Sequence, residues 1–407
     1  MTVVGIHEVL IDSRQSRRVL EWNATSSSLS SGSPLRSEYA WRVQKTVLHG
    51  GRQEGVDLIR VDNGVFRFLT SPTRGMSLWD GRVGELRLGW DSPVKEIVHP
   101  QYVHLSDQGG LGWLQGFNEW LNRCGLAWNG APGVDQVKNN TGTEVPVELT
   151  LHGRASYLPA TYVEVRVDAP SSAAREPRLT VRGVVDETMM YGTQLRLTSE
   201  VSTLAGSRTI TIKDAVENLS SAPQEFQLLY HTNFGPPLLE EGAELITAPK
   251  RVTPRDAHAA KKKLVNWSRY EGPTPGFVEQ VFFVQPCADP NGETEVLLRN
   301  REGSQGVSMR FSLKELPYLT VWKNTQSVKD GYVTGIEPAT NFPNPRSFER
   351  AHGRVPVLEP GAVHEASIQI PAHTNSDQVA EAHRRVLSIQ GDATVVLDPK
   401  PLPTLCP

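Results

Sequence analysis

The sequence predicts a mainly β fold, a large antiparallel β-sandwich with few short helices. Apolar residues recur at every second position in segment after segment, which gives a strand one buried and one wetter face. The 407 residues include 34 glycines and 29 prolines, and with Asn and Asp these separate the alternating runs as turns do. Helical periodicity is scarce.

In chain order, residues 1–40 are expected to form an N-terminal extension. Residues 6–22 mix apolar and basic side chains, and Asn23-Ala24-Thr25-Ser26-Ser27-Ser28-Leu29-Ser30-Ser31-Gly32-Ser33-Pro34 reads as a flexible Ser-rich linker. Residues 41–407 then form the sandwich domain. Val147, Leu149 and Leu151 alternate with polar residues, as do Val163, Val165 and Val167, and Ile210 and Ile212. The same period runs through Val307, Met309 and Phe311, and through Ala366, Ile368 and Ile370. Such strands suit antiparallel sheets packed face to face better than a parallel core. The best helix spans 376–387, with Asn375 as N-cap, Gln378 three residues on, and Val379, Ala382, Val386 and Leu387 on one face. A short helical turn is expected at 116–123, where Phe117, Trp120 and Leu121 have helical spacing. The stretches 96–116 and 129–144 read as long loops, where function concentrates.

Composition excludes several function classes. At 38% hydrophobic, 21% charged and a net charge of −3, the chain offers no basic surface for nucleic acid or anionic membrane. No run approaches the roughly 18 apolar residues of a membrane span. The start Met1-Thr2-Val3-Val4-Gly5-Ile6-His7-Glu8 lacks the basic-then-apolar build of a signal peptide, so a cytoplasmic location is expected. Cys124, Cys287 and Cys406 are far apart and show no CxxC spacing, so neither a disulfide framework nor a zinc site is expected. No nucleotide or metal motif occurs and no cofactor is expected.

Several runs hold candidate reactive groups. In Leu149-Thr150-Leu151-His152-Gly153-Arg154 an imidazole and a guanidinium stand together, although a lone strand histidine is more often structural. Tyr230-His231-Thr232-Asn233-Phe234-Gly235-Pro236-Pro237 ends an apolar strand with an imidazole and an amide. Gly276-Phe277-Val278-Glu279-Gln280 places an acid among aromatics, to bind a hydroxyl or to cap a sheet edge. Trp113, Trp120 and Arg123 in the Gly-rich run from Gly109 would suit a sugar ring stacked on aromatics and held by a guanidinium, or a loop folded over its own small core. Trp322 and Lys323, in Tyr318-Leu319-Thr320-Val321-Trp322-Lys323-Asn324, fit a polyol site or an ordinary strand. Finally, Gly335-Ile336-Glu337-Pro338-Ala339-Thr340-Asn341 carries a carboxylate near a strand end. An acid and a base from separate strands permit general acid–base chemistry.

The order Arg123, His152-Gly153, His231-x-Asn233-Phe234, Phe277-x-Glu279 and Glu337 resembles that of the aldose 1-epimerases, the galactose mutarotases. The runs around His231 and Glu337 are more closely similar to an epimerase-like branch, the DUF4432 family, over about residues 45–371. The resemblance implies a galactose mutarotase-like sandwich with a sugar in an open concave cleft. It implies that Glu337 takes the anomeric hydroxyl proton and His231 protonates the ring oxygen, while His152 and Arg123 hold ring oxygens and hydroxyls. Asn233, Glu279, Trp322 and Lys323 join the expected substrate contacts. In two places the chain departs from the family pattern: His152-Gly153-Arg154 stands for His-Gly-Gly, and Glu279 for Asp. Arg154 raises the expectation of an acidic sugar. Mutual attraction would leave Glu337 ionised and His231 protonated at rest. The function expected is mutarotation of a free sugar without a cofactor. The alternatives are a sugar isomerase or lyase that abstracts a carbon-bound proton, and a non-catalytic carbohydrate-binding or sensing protein.

Overall fold

The computed structural model describes residues 5–30, 32–172, 174–261 and 266–407. Residues 1–4, read above for a leader, and Ser31 of the expected linker lie outside the described residues. The described strands form two large, almost wholly antiparallel sheets, one of ten strands and one of thirteen, with two small two-stranded ribbons beside them. The fold is the mainly β sandwich that alternation predicts.

The reason is visible in which residues face inward. Val163, Val165 and Val167, Ile210 and Ile212, Val307, Met309 and Phe311, and Ala366, Ile368 and Ile370 all point from the ten-stranded sheet into one shared core. Val43, Phe68, Leu228 and Tyr230 enter the same core from the thirteen-stranded sheet. Each fully buried aliphatic side chain of this layer contributes about 1.5–3 kcal/mol against exposure, so a one-residue slip of any strand would be costly.

Four expectations are corrected. The N-terminal segment is not a peripheral extension: Ile6–Asp12 pairs with Tyr162–Asp168 in the ten-stranded sheet, and Trp22–Thr25 pairs with Arg42–Val47 in the other. Residue 40 is therefore no structural boundary. The run 116–123 is not helical. A 3-10 turn covers Gly112–Gly116 and a strand follows at Leu121–Leu126, because Asn118 bonds the carbonyls of Val94 and Glu96, and Glu119 pairs with Arg74, drawing the segment out of helical geometry. The stretch 129–144 is not all loop, since Gly133–Lys138 pairs with Glu144–Leu149 as a hairpin. Val147 is accordingly exposed, its alternation belonging to a ribbon outside the main sheets.

The helix forms as expected and runs on to Ser376–Gln390, its Asn375 side chain accepting from Gln378 N at 3.0 Å. Val379, Ala382 and Val386 are buried but Leu387 is exposed, so the buried stripe is narrower than predicted. Among the described residues no helix is long and apolar enough to cross a membrane.

Candidate active site

Four neighbouring strands of the thirteen-stranded sheet frame the site. Gln227–Phe234 lies between Leu121–Leu126 and Val333–Ala339, and Tyr318–Asn324 lies beyond the latter. All eight residues of Gln227–Phe234 are buried, so both its faces are covered. Leu228, Tyr230 and Phe234 join the core between the sheets. Leu229, His231 and Asn233 take the other face.

The pairings Leu229 with Ala339 and Thr232 with Ile336 put His231 opposite Glu337. Nε2 of His231 lies 3.3 Å from Oε1 of Glu337, and both side chains are nearly fully buried. The contact is not aligned as a hydrogen bond, and Oε1 has no hydrogen-bond partner among the described residues. The reactive atoms thus converge without satisfying one another. Thr320, opposite Glu337 on the next strand, also has a buried hydroxyl without a partner among the described residues. Beneath them Gly335 leaves the room they need: a Cβ there would stand 2.5 Å from Glu337 Oε1 and 3.2 Å from His231 Cε1.

Aromatic rings wall the pair. Phe117, Trp322 and Trp113 lie 5.1, 5.5 and 6.0 Å from the His231 ring, centroid to centroid. The His152 ring stands 5.3 Å away, edge-on. Trp113 is fixed by its indole N–H on Ser156 Oγ at 3.0 Å and is fully buried, so it backs the His231 ring as packing. At the open side Glu279 accepts from Trp322 Nε1 at 2.7 Å and from Arg255 Nη2 at 2.9 Å.

Burial sets the charges. It pushes the Glu337 carboxyl well above the usual carboxylate range, and the Glu279 charge adds to this against the opposing Arg255. Burial, reinforced by His152, pushes His231 well below the usual imidazole range, while its bond to Asn233 opposes. The expected ion pair is therefore corrected: at rest the pair favours a neutral carboxyl and a neutral imidazole. Burial also lowers His152 to about 4 despite its Asn129 hydrogen bond, so it too is neutral.

Other expected contacts also move. His152 is not in a strand but in the turn after Glu144–Leu149, with φ at +59° and Nδ1 at 2.8 Å from the Asn129 carbonyl. Arg123 does not face the cleft. It is fully buried on the opposite face beside Tyr230, paired through Nε and Nη2 with Asp214 of the ten-stranded sheet and donating from Nη1 to the Met76 carbonyl. Trp120 is likewise core. Lys323 points to that same inner side, its Nζ on the Arg269 carbonyl at 2.5 Å and over the Tyr270 ring. Asn233 is fully buried, its amide engaged by His231 and Glu119 rather than open to a sugar. Arg154 is exposed and stands over the Trp128 ring, 5.5 Å from its centroid. Arg255 and Thr320 were not anticipated. Thr320 shares parity with Trp322 and was legible from alternation, whereas Arg255 follows a distant strand and only the pairing of Pro249–Pro254 with Gln280–Pro286 brings it to Glu279.

A groove of about 770 Å³ lies elsewhere, beside the long helix, and includes Glu293, Glu295, Arg310 and Arg385. Both arginines bond Glu295, so these three charges satisfy each other. Among the described residues no group of three or more His, Cys, Asp and Glu side chains is placed to hold a metal ion.

The chain is similar to a Klebsiella pneumoniae protein provisionally named an aldose 1-epimerase, with 36% identity, 98% of this chain and 99% of that one covered, and a TM-score of 0.89. A galactose mutarotase-like protein from Clostridium acetobutylicum is 14% identical over 82% of this chain and 98% of its own, with a TM-score of 0.53. A galactose mutarotase related enzyme from Lactobacillus acidophilus is 14% identical over 78% and 98%, with a TM-score of 0.51. These two show the shared fold alone. No curated protein matches. The family model described as a domain of unknown function, DUF4432, matches residues 53–371, and the chain belongs to that family.

Proposed function

We propose that this protein is an isomerase of the aldose 1-epimerase type that interconverts the anomers of a free sugar, with Glu337 and His231 as its acid–base pair. The observation that carries this is the 3.3 Å convergence of Oε1 and Nε2 without an aligned hydrogen bond, within an aromatic wall suited to the apolar face of a sugar ring. The provisional name of the 36% identical Klebsiella protein points the same way.

Anomer exchange needs a proton taken from O1, cleavage of the C1–O5 bond and a proton given to O5, followed by rotation and reclosure. The pair holds the same one proton whether written as neutral carboxyl and imidazole or as carboxylate and imidazolium. Moving that proton from Glu337 to Nε2 creates the base for O1 and the acid for O5. A sugar entering the cleft supplies hydroxyls that solvate the separated charges and favour this form. Reclosure reverses both transfers and no redox change occurs. Trp322, which is partly exposed, offers its ring, and Glu279, held by Arg255, accepts from sugar hydroxyls.

Exchange spectroscopy by NMR on a panel of free sugars, acidic ones included, tests this. At least one sugar should exchange anomers faster with enzyme than without. Binding with no change in exchange for any sugar would leave a carbohydrate-binding protein, and solvent deuterium appearing at carbon would identify proton abstraction at carbon instead.

A further inference from the structure

Glu337 faces the His231 ring without bonding it, and the ring's hydrogen bond goes elsewhere. Asn233, two residues on along the same strand face, is fully buried, and its Oδ1 lies 2.7 Å from His231 Nδ1. The orientation of this amide follows from its other contacts. Nδ2 sits 2.9 Å from the Glu119 carbonyl and 3.2 Å from the His231 carbonyl, and both of these only accept. Turning the amide over would set Oδ1 against two carbonyl oxygens, so the amino group faces them and Oδ1 faces the imidazole. An amide oxygen only accepts, so the ring nitrogen opposite it must carry a hydrogen.

The Glu119 anchor is itself fixed. Its carbonyl also receives the Trp90 indole N–H at 3.0 Å, and its carboxylate is clamped by buried Arg74. The chain of contacts runs from Arg74 and Trp90 through Glu119 and Asn233 to the imidazole.

We propose that Asn233 is a positioning residue that locks His231 in the Nδ1–H tautomer and so presents the Nε2 lone pair to Glu337 and the cleft. The proposal rests on the assignment of His231 to proton transfer. A neutral partner has a second effect that an acidic one would lack. It orients the ring and stabilises imidazolium less than a carboxylate in its place would, so most of the charge on His231 is left to Glu337 and the substrate. Around the pair the titratable or charged groups are Glu337 from Val333–Ala339, His152 from the turn after the ribbon, Cys124 from Leu121–Leu126, and Glu279 with Arg255 at the rim. None of these contacts Nδ1, which is left to Asn233.

The test reads the ring directly. In protein labelled with ¹⁵N-histidine, with the His231 signals assigned by their loss in His231→Gln, Nδ1 should show the shift of a protonated nitrogen and Nε2 that of an unprotonated one at neutral pH. A dominant Nε2–H tautomer, or an even mixture, would overturn the proposal. Asn233→Asp, folded by circular dichroism, should raise the His231 pKa by at least about one unit and carry the acid limb of anomer exchange with it. An unchanged His231 titration in folded Asn233→Asp would also overturn it. Because the tautomer is read without turnover, an inactive protein with the Nδ1–H tautomer would retire the epimerase reading and keep this one, and an active protein with the Nε2–H tautomer would do the reverse.

Discussion

His231 and Glu337 stand opposite each other on adjacent antiparallel strands, with Nε2 3.3 Å from Oε1, and the ladder that sets the fold also sets that distance. Side chains alternate between faces, so a one-residue slip in either strand would send one member into the core between the sheets. Each should therefore be needed for proton transfer. Glu337→Gln and His231→Ala are each expected to lower the anomer exchange rate at least about a hundredfold. The double variant should be little slower than either, because the two act as a unit. Rates come from NMR exchange on the responsive sugar, and near-full activity in either folded single variant would remove that residue from the mechanism.

The pH profile follows from the directions of the two shifts. The pair works with one proton. A second proton adds only at a pH well below the ordinary imidazole value, because burial and His152 disfavour imidazolium. The single proton leaves only well above the ordinary carboxylate value, because burial and Glu279 disfavour the carboxylate. Activity should thus fall on the acid side only below the usual histidine range and on the alkaline side only above the usual carboxylate range. These limbs belong to the pair and not to either residue. Rates corrected for spontaneous exchange check this, and an acid limb at the ordinary histidine value would contradict it.

How much of this was legible in the sequence depended on which faces are buried. Strands with one wet face, such as Tyr162–Asp168 and Val363–His373, declare themselves by alternation. Gln227–Phe234 and Leu121–Leu126 are buried throughout, so no pattern of polarity tells which side meets the cleft. That is why His231 and Arg123 both read as site residues while only His231 faces the cleft, Arg123 being turned inward to Asp214. The strand Ile6–Asp12, second from the sheet edge, has only Leu10 fully buried and gave no clear period. Thr320 needed only parity, but Arg255 and the Glu119 anchor depend on tertiary register that no local run encodes.

Gly335 supplies the floor of the site. Gly335→Ala is expected to lower kcat about tenfold or more with little loss of stability, because the new methyl would press on Glu337 Oε1 and the His231 ring while the strand itself tolerates alanine. Steady-state kinetics and thermal melting on the same preparation check both halves. Unchanged kcat with a lowered melting temperature would mean that the glycine serves packing alone.

Arg123 should behave as a core residue. Arg123→Met leaves the Asp214 carboxylate buried without its partner, which costs about 3–5 kcal/mol. Adding Asp214→Leu should restore much of that loss, since an apolar pair of similar volume fills the same layer. Denaturant midpoints measure the stability, and KM measured on the folded double variant should match the parent. A KM raised severalfold at parental stability would return Arg123 to the substrate.

Arg154 decides whether the departure from His-Gly-Gly reads the substrate's charge. Its guanidinium is exposed and lies over Trp128, whose indole N–H is bonded to the Thr150 carbonyl at 2.7 Å, so it braces the turn that carries His152. A stacking contact of this kind contributes about 0.5–1 kcal/mol at an exposed site, and that loss does not depend on the ligand. Arg154→Ala should therefore weaken an acidic sugar and its neutral analogue by the same small factor, each below about tenfold. A guanidinium that met a carboxylate would instead make the acidic sugar alone lose about 1.5–3 kcal/mol. Titration of both sugars into parent and variant separates the two, and a loss confined to the acidic sugar would place Arg154 in the binding site.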